Sequence, residues 1–493
     1  MPRWWTSRRV CARRPTRRGS DCAPSRTARP PASPPDGRAR RGAAGRRHRA
    51  PGGLASGRGA GAADAPRRAY GRAVTSAPPA SGAPTPRPVD ARPADPRAAD
   101  TRPADPRPAG RAASRLVALD ALRLVAALAV VVYHFTARES SVWGPDQDRV
   151  LGAVAPWTSY GSLGPELFFV ISGFVILMSA WGRTTVAVVA SRIGRLYPSY
   201  WVAVLLTGLL LLVVWPEGKH VTPGQVAVNL TMLQSALGVP HVDGVYWTLW
   251  TELRFYVLVG VLVLVGVTRR RVLAVAFLWP PVALGVAHLG LDDLASLLVA
   301  DYAPLFAAGM ALFVVHREGH APLPWAAVAA NTALAVVLVT PSRAAVLERV
   351  TGIVPSTAGL AAGVVLCVVL VAAVALTPLA RLDRPAVVAA AALTYPLYLV
   401  HQYWGLWTIG LVADHVPAWV AVAAAVAVSV ALAWAVHRLV EAPYAPALRR
   451  RAERTLTDLR DRLLGRVNHG PRALHEARRL GIAPGQLPGT PPT

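Results

Sequence analysis

Arg123 and His134 stand eleven positions apart in a mainly apolar stretch, 116–135 (LVALDALRLVAALAVVVYHF). On a helix, eleven steps of about 100° fall within about 20° of three full turns, so both side chains share one face, about 16 Å apart along the axis. A guanidinium can grip phosphate or carboxylate, and an imidazole can take or give a proton near neutral pH. Inside a bilayer such groups are costly unless they face a protein interior or a water-filled cavity. The spacing points to a site buried in the membrane. A blander account pairs Arg123 with Asp120 one turn away and leaves His134 at the interface.

Four more segments interrupt the Ala/Val/Leu background. In 164–174 (GPELFFVISGF) Glu166 opens an apolar run, and Ser172-Gly173 makes a small polar notch that also suits close helix packing. Ser172 lacks the G-x-S-x-G context of a serine-hydrolase nucleophile. In 191–201 (SRIGRLYPSYW) Arg192 and Arg195 lie three apart, as a clamp for phosphate or carboxylate or as ordinary positive-inside charge. In 246–256 (YWTLWTELRFY) Glu252 and Arg254 cannot meet at i,i+2, so each needs a partner on another helix or a polar cavity. In 393–401 (LTYPLYLVH) His401 is a second intramembrane imidazole, structural or catalytic, and Pro396 is expected to bend the helix.

Elements that could position these groups follow from hydropathy. The 493 residues are 53% hydrophobic and 16% charged, but the averages join unlike parts. Residues 1–115 are rich in Arg, Pro, Ala and Gly and cannot bury enough surface to offset chain entropy, so a disordered basic cytoplasmic tail is expected. They hold no apolar signal-peptide core, which leaves 116–135 as an uncleaved signal anchor. From 116 to about 440 the chain is a succession of apolar runs that satisfy their backbone in lipid only as helices. The expectation is an all-α polytopic membrane bundle with ten spans, near 116–136, 161–182, 199–215, 246–267, 272–290, 298–315, 325–340, 357–377, 389–411 and 418–438. Residues 116–443 form the transmembrane domain and 444–493 a basic cytoplasmic tail, part helical over 447–464.

The net charge of +26 does not imply nucleic-acid binding. Lys219 is the only lysine, and a basic tail beside lipid accounts for much of the charge. Linkers 183–198, 268–271, 316–324 and 378–388 hold nine Arg, whereas the opposite linkers hold five basic residues, Arg138, Arg149, Lys219, Arg343 and Arg349. This bias puts both termini in the cytoplasm, with Arg123 nearer the cytoplasm than His134. The cysteines have no disulfide or metal-site spacing, and no metal is expected.

Taken in order, the motifs resemble the membrane-bound acyltransferase 3 family, over about 116–443. They are Arg-x10-His, FFVISGF, RIGRLYP, WTLWTELRFY, YPLYLVH and VEAP. Leu124, Thr248 and Ala442 stand where that family commonly has Gly, Ser and a basic residue. The resemblance implies a ten-helix plasma-membrane enzyme. It would move an acyl group, acetyl above all, from cytoplasmic acyl-CoA to a hydroxyl of a carbohydrate, glycolipid or glycosylated small molecule. It also implies a catalytic set of His134, Arg123, Glu166 and Glu252, and a donor-binding set of Arg192, Arg195, Ser172, Tyr398 and His401. His134 is then either a general base or a transient acyl carrier. A proton-coupled transporter or flippase is the physical alternative, although no convincing repeat relates the two halves.

Overall fold

The computed structural model describes residues 116–465 apart from 382–383; the expectations for 1–115 and 466–493 fall outside them. Among the described residues the regular elements are helical, with no strand. The long helices are α1 (Val117–Thr136), α2 (Gly164–Ala180), α3 (Thr185–Leu209), α4 (Trp247–Val265), α5 (Arg269–His288), α6 (Ala303–Glu318), α7 (Pro322–Thr351), α8 (Thr357–Leu376), α9 (Thr394–Val412), α10 (Ala418–Val436) and α11 (Ala442–Leu463).

Eight helical stretches among the described residues are long and apolar enough to cross a membrane: Val117–Thr136, Ala155–Ala180, Thr185–Val214, Gly244–Val265, Arg269–His288, Pro322–Thr351, Thr357–Leu376 and Ala418–Leu463. The other two expected spans correspond to α6 and α9. All thirteen α6 residues from Ala303 to Val315 are buried. A helix wrapped by its neighbours needs no long lipid-facing surface, and α6 has 16 residues. α9 buries Thr394, His401, Gln402 and Thr408, polar side chains that lower its hydropathy.

Two boundaries differ from expectation. α3 begins at Thr185, so the expected linker 183–198 is largely helix and Arg192 and Arg195 sit on it. Thr184 starts it by accepting from the Ala187 amide at 3.3 Å, which satisfies one of the free donors of the first turn. α7 runs to Thr351 through Pro341, so Arg343 is a residue of a helix rather than of an outer linker. The bend expected at Pro396 is a break: a short helix, Pro385–Ala392, stops, and α9 restarts at Thr394 with Pro396 in its first turn, where its missing N–H has no intrahelical role.

Glycines set the closest approaches. A Cβ on Gly173 would lie 2.1 Å from the Phe306 carbonyl oxygen, and one on Gly309 2.1 Å from that of Val170, so α2 and α6 cross backbone to backbone. Around that crossing Phe306 packs on Phe169 and Phe255, with ring centroids 4.9 and 4.2 Å away. A Cβ on Gly161 would meet the Ala129 carbonyl oxygen at 2.2 Å, which holds α1 against the segment leading into α2.

Candidate active site

One cavity of about 1540 Å³ collects most of the polar residues marked by sequence. Arg123 of α1, Ser172 of α2, Arg192 and Arg195 of α3, Glu252 of α4 and Tyr398 of α9 all line it. Arg123 holds Asp120 at 3.1 Å, so the local ion pair exists and faces the cavity. Ser172 donates to Glu252 Oε1 at 2.7 Å, while its neighbour Gly173 makes the helix crossing: the notch serves both purposes. Arg192 donates to Ser179 Oγ at 3.3 Å and lies over the Tyr256 ring, 5.8 Å from its centroid. Tyr395, also on the lining, donates to the Leu196 carbonyl at 3.0 Å and ties α9 to α3.

Neither intramembrane imidazole lines this cavity. His134 and His401 are buried together, His401 Nε2 standing 3.2 Å from His134 Nδ1. Their tautomers follow from their neighbours. His401 Nδ1 faces the carbonyls of Tyr398 at 2.9 Å and Leu397 at 3.2 Å, and so carries its proton there. Its Nε2 is then an acceptor. His134 Nδ1 faces that nitrogen and the Val130 carbonyl at 2.9 Å, both acceptors, and so is protonated as well. The lone pair of His134 is left on Nε2. Tyr398 links the two places: its side chain lines the cavity, its carbonyl holds His401, and Thr248 donates to its hydroxyl at 3.0 Å.

Glu166 lies elsewhere. It is fully buried and bonded to Arg343 of α7, and does not line the cavity. Arg254 likewise turns away from Glu252, donating to the Ser296 hydroxyl at 2.6 Å, so the two charges of α4 do have separate partners. The structure therefore brings together Arg123, Arg192, Arg195, Ser172, Glu252 and Tyr398. It pairs His134 with His401 and sets Glu166 apart.

Sequence reasoning missed several lining residues: Arg183 and Ser179, His316 and Arg317 at the end of α6, and His437, Glu441 and Arg449 around the start of α11. The Arg317 guanidinium lies 4.5 Å from the Trp181 ring centroid, and His437 bonds Glu441 at 3.2 Å. Loop and tail charge looks alike in sequence whether it lines a cavity or faces solvent; the i,i+4 spacing of His437 and Glu441 was the available signal.

A helical membrane bundle with an arginine-lined cavity beside a buried histidine pair defines the class: a multi-pass membrane protein with a polar interior site. An acyltransferase domain model matches residues 116–438, and the chain belongs to the acyltransferase 3 family. It is 31% identical over 150 residues to Acyltransferase MdmB of Streptomyces mycarofaciens, a match covering 29% of this chain and 38% of that one. The chain thus spans well under half the length of the curated relative it matches. No solved structure matches it.

Proposed function

We propose that this chain is an integral membrane O-acyltransferase that moves an acyl group, acetyl in the simplest case, from acyl-CoA to a hydroxyl of a carbohydrate, glycolipid or glycosylated small molecule. One observation carries the reading: a large cavity lined by Arg123, Arg192 and Arg195 reaches Tyr398, whose carbonyl holds the His401–His134 pair. Family membership supports acyl transfer, and the charge bias of the linkers supports placing the arginine end and both termini in the cytoplasm of a plasma-membrane protein, where acyl-CoA is found.

In this reading the arginines hold the donor phosphates, since guanidinium forks match phosphate geometry. Arg123, about 16 Å before His134 on α1, belongs to this donor-holding end of the cavity. Glu252, held by Ser172, keeps Arg192 and Arg123 from facing uncompensated positive charge when the site is empty. Glu166 leaves the catalytic set for a buried structural pair with Arg343.

His134 Nε2 takes the proton of the acceptor hydroxyl as its oxygen bonds to the acyl carbon. The carbon–sulfur bond breaks, and the CoA thiolate leaves with that proton. Transient acylation of the same nitrogen, followed by transfer to the hydroxyl, gives the same products. Either way the Nδ1 proton, held by Val130 and His401, directs the reactive lone pair to Nε2.

The test is incubation of purified protein with radiolabelled acetyl-CoA and a panel of glycosylated acceptors. Release of CoA with a labelled acceptor is expected, and a transport signal without acyl transfer would support a flippase instead. His134→Gln should lower turnover about 10²–10⁴-fold, the usual effect of losing a general base. Full activity in a normally expressed His134→Gln protein refutes the role given to this residue.

A further inference from the structure

We infer that α11, which follows the residues matched to the family, completes the donor site, with Arg449 a ligand for the phosphorylated nucleotide of acyl-CoA. The inference rests on the acyl-CoA reading above and deepens it.

Gly194 sits between Arg192 and Arg195. A Cβ there would lie 2.6 Å from the Cβ of Arg449 and 2.9 Å from the Ala445 carbonyl oxygen. Only glycine lets α11 lie against the turn of α3 that carries both arginines, so that turn and Arg449 stand side by side. Arg449 lines the same cavity as they do, along with Arg183 and Arg317.

The charge at this mouth is lopsided. Six guanidiniums on the lining face three carboxylates, those of Asp120, Glu252 and Glu441. Asp120 is paired with Arg123 and Glu441 with His437, while Glu252, oriented by Ser172, serves Arg123 and Arg192. Among the described residues no carboxylate lies within ion-pairing distance of Arg195 or Arg449. A polyanion with several phosphates suits such a rim, and arginine binds phosphate through paired N–H donors. A lipid headgroup shares that phosphate chemistry. The continuity of Arg449 with the interior cavity favours the nucleotide.

The experiment measures the dissociation constant of CoA by calorimetry, using the full chain in nanodiscs. Arg449→Ala should weaken binding about tenfold or more, the scale of one charge-assisted hydrogen bond. Arg449→Lys should lose less. Arg450→Ala, one residue on and outside the cavity lining, should bind as the unaltered protein does. Unchanged affinity in Arg449→Ala overturns the inference. So does an equal loss in Arg450→Ala, which would mean diffuse attraction or a lipid contact. An unaltered protein that binds no CoA overturns the acyl-CoA reading itself, and the inference falls with it.

Discussion

Gly405 stands one helical turn beyond His401 on α9, and a Cβ built on it would lie 2.0 Å from Cζ of Phe135, the neighbour of His134. Phe135 is fully buried and has nowhere to retreat. The phenyl ring fills the space that glycine leaves, and this lets the two helices bring their imidazoles to 3.2 Å. Gly405→Ala should therefore push α1 from α9 and part the histidines, with an overpacking penalty of about 1–3 kcal/mol. Acyl transfer should fall while CoA affinity holds, because the arginine cavity is lined by other residues. Adding Phe135→Leu, which makes room, should restore part of the rate; a double variant no better than the single would disprove the steric account.

His401 acts through His134. It should tolerate Gln better than Leu, since a glutamine carbonyl can accept the Nδ1 proton and keep the lone pair on Nε2. His401→Leu should lower kcat with little change in the donor KM, and His401→Gln should recover part of it. Equal kcat values for the two variants would leave His401 as packing alone.

Glu166 and Arg343 should reveal themselves in stability. Removing one member of a buried pair strands the other, at a cost of about 3–5 kcal/mol. Glu166→Gln should thus lower the thermal midpoint sharply. Glu166→Gln with Arg343→Met should recover much of the loss and retain acyl transfer. A stable but inactive Glu166→Gln protein would return this residue to the chemistry.

The loop between α3 and α4 holds a buried carboxyl and a half-buried imidazole with opposite pH behaviour. Burial raises the Asp243 carboxyl from 3.8 to about 7, against the pull of the Val245 amide, Lys219 and Arg138. Burial, then the charge of Lys219, lowers His241 from 6.5 to about 4. Asp243 is better tolerated with its proton on, so its contribution is intact below about pH 4 and is lost as pH rises toward 7. His241 is better tolerated neutral, so its contribution is intact above about 6.5 and is lost as pH falls toward 4. Asp243→Asn should match the unaltered protein's thermal midpoint near pH 4 and exceed it progressively up to pH 8. A difference that does not vary with pH would show that Asp243 holds its charge in the fold.

The cavity was legible because an arginine or glutamate stands out among Val, Leu and Ala. Arg123, Arg192, Arg195 and Glu252 could be marked before any helix was placed, as could the small notch at Ser172. Contacts that depend on register between helices were not legible. That His134 meets His401 depends on Gly405 and Phe135, and that Glu166 meets Arg343 depends on α7 running through Pro341. Arg449 was hidden for another reason: an arginine-rich exposed helix reads the same whether it floats in solvent or closes a cavity.

α1 also works as a ruler. A helix hardly stretches, so the eleven steps from Arg123 to His134 fix both the reach and the bearing between the cavity and the imidazole pair. One residue inserted between them would swing His134 about 100° around the axis and shift it about 1.5 Å along it. Side chains on the outer face of this segment can vary; its length cannot.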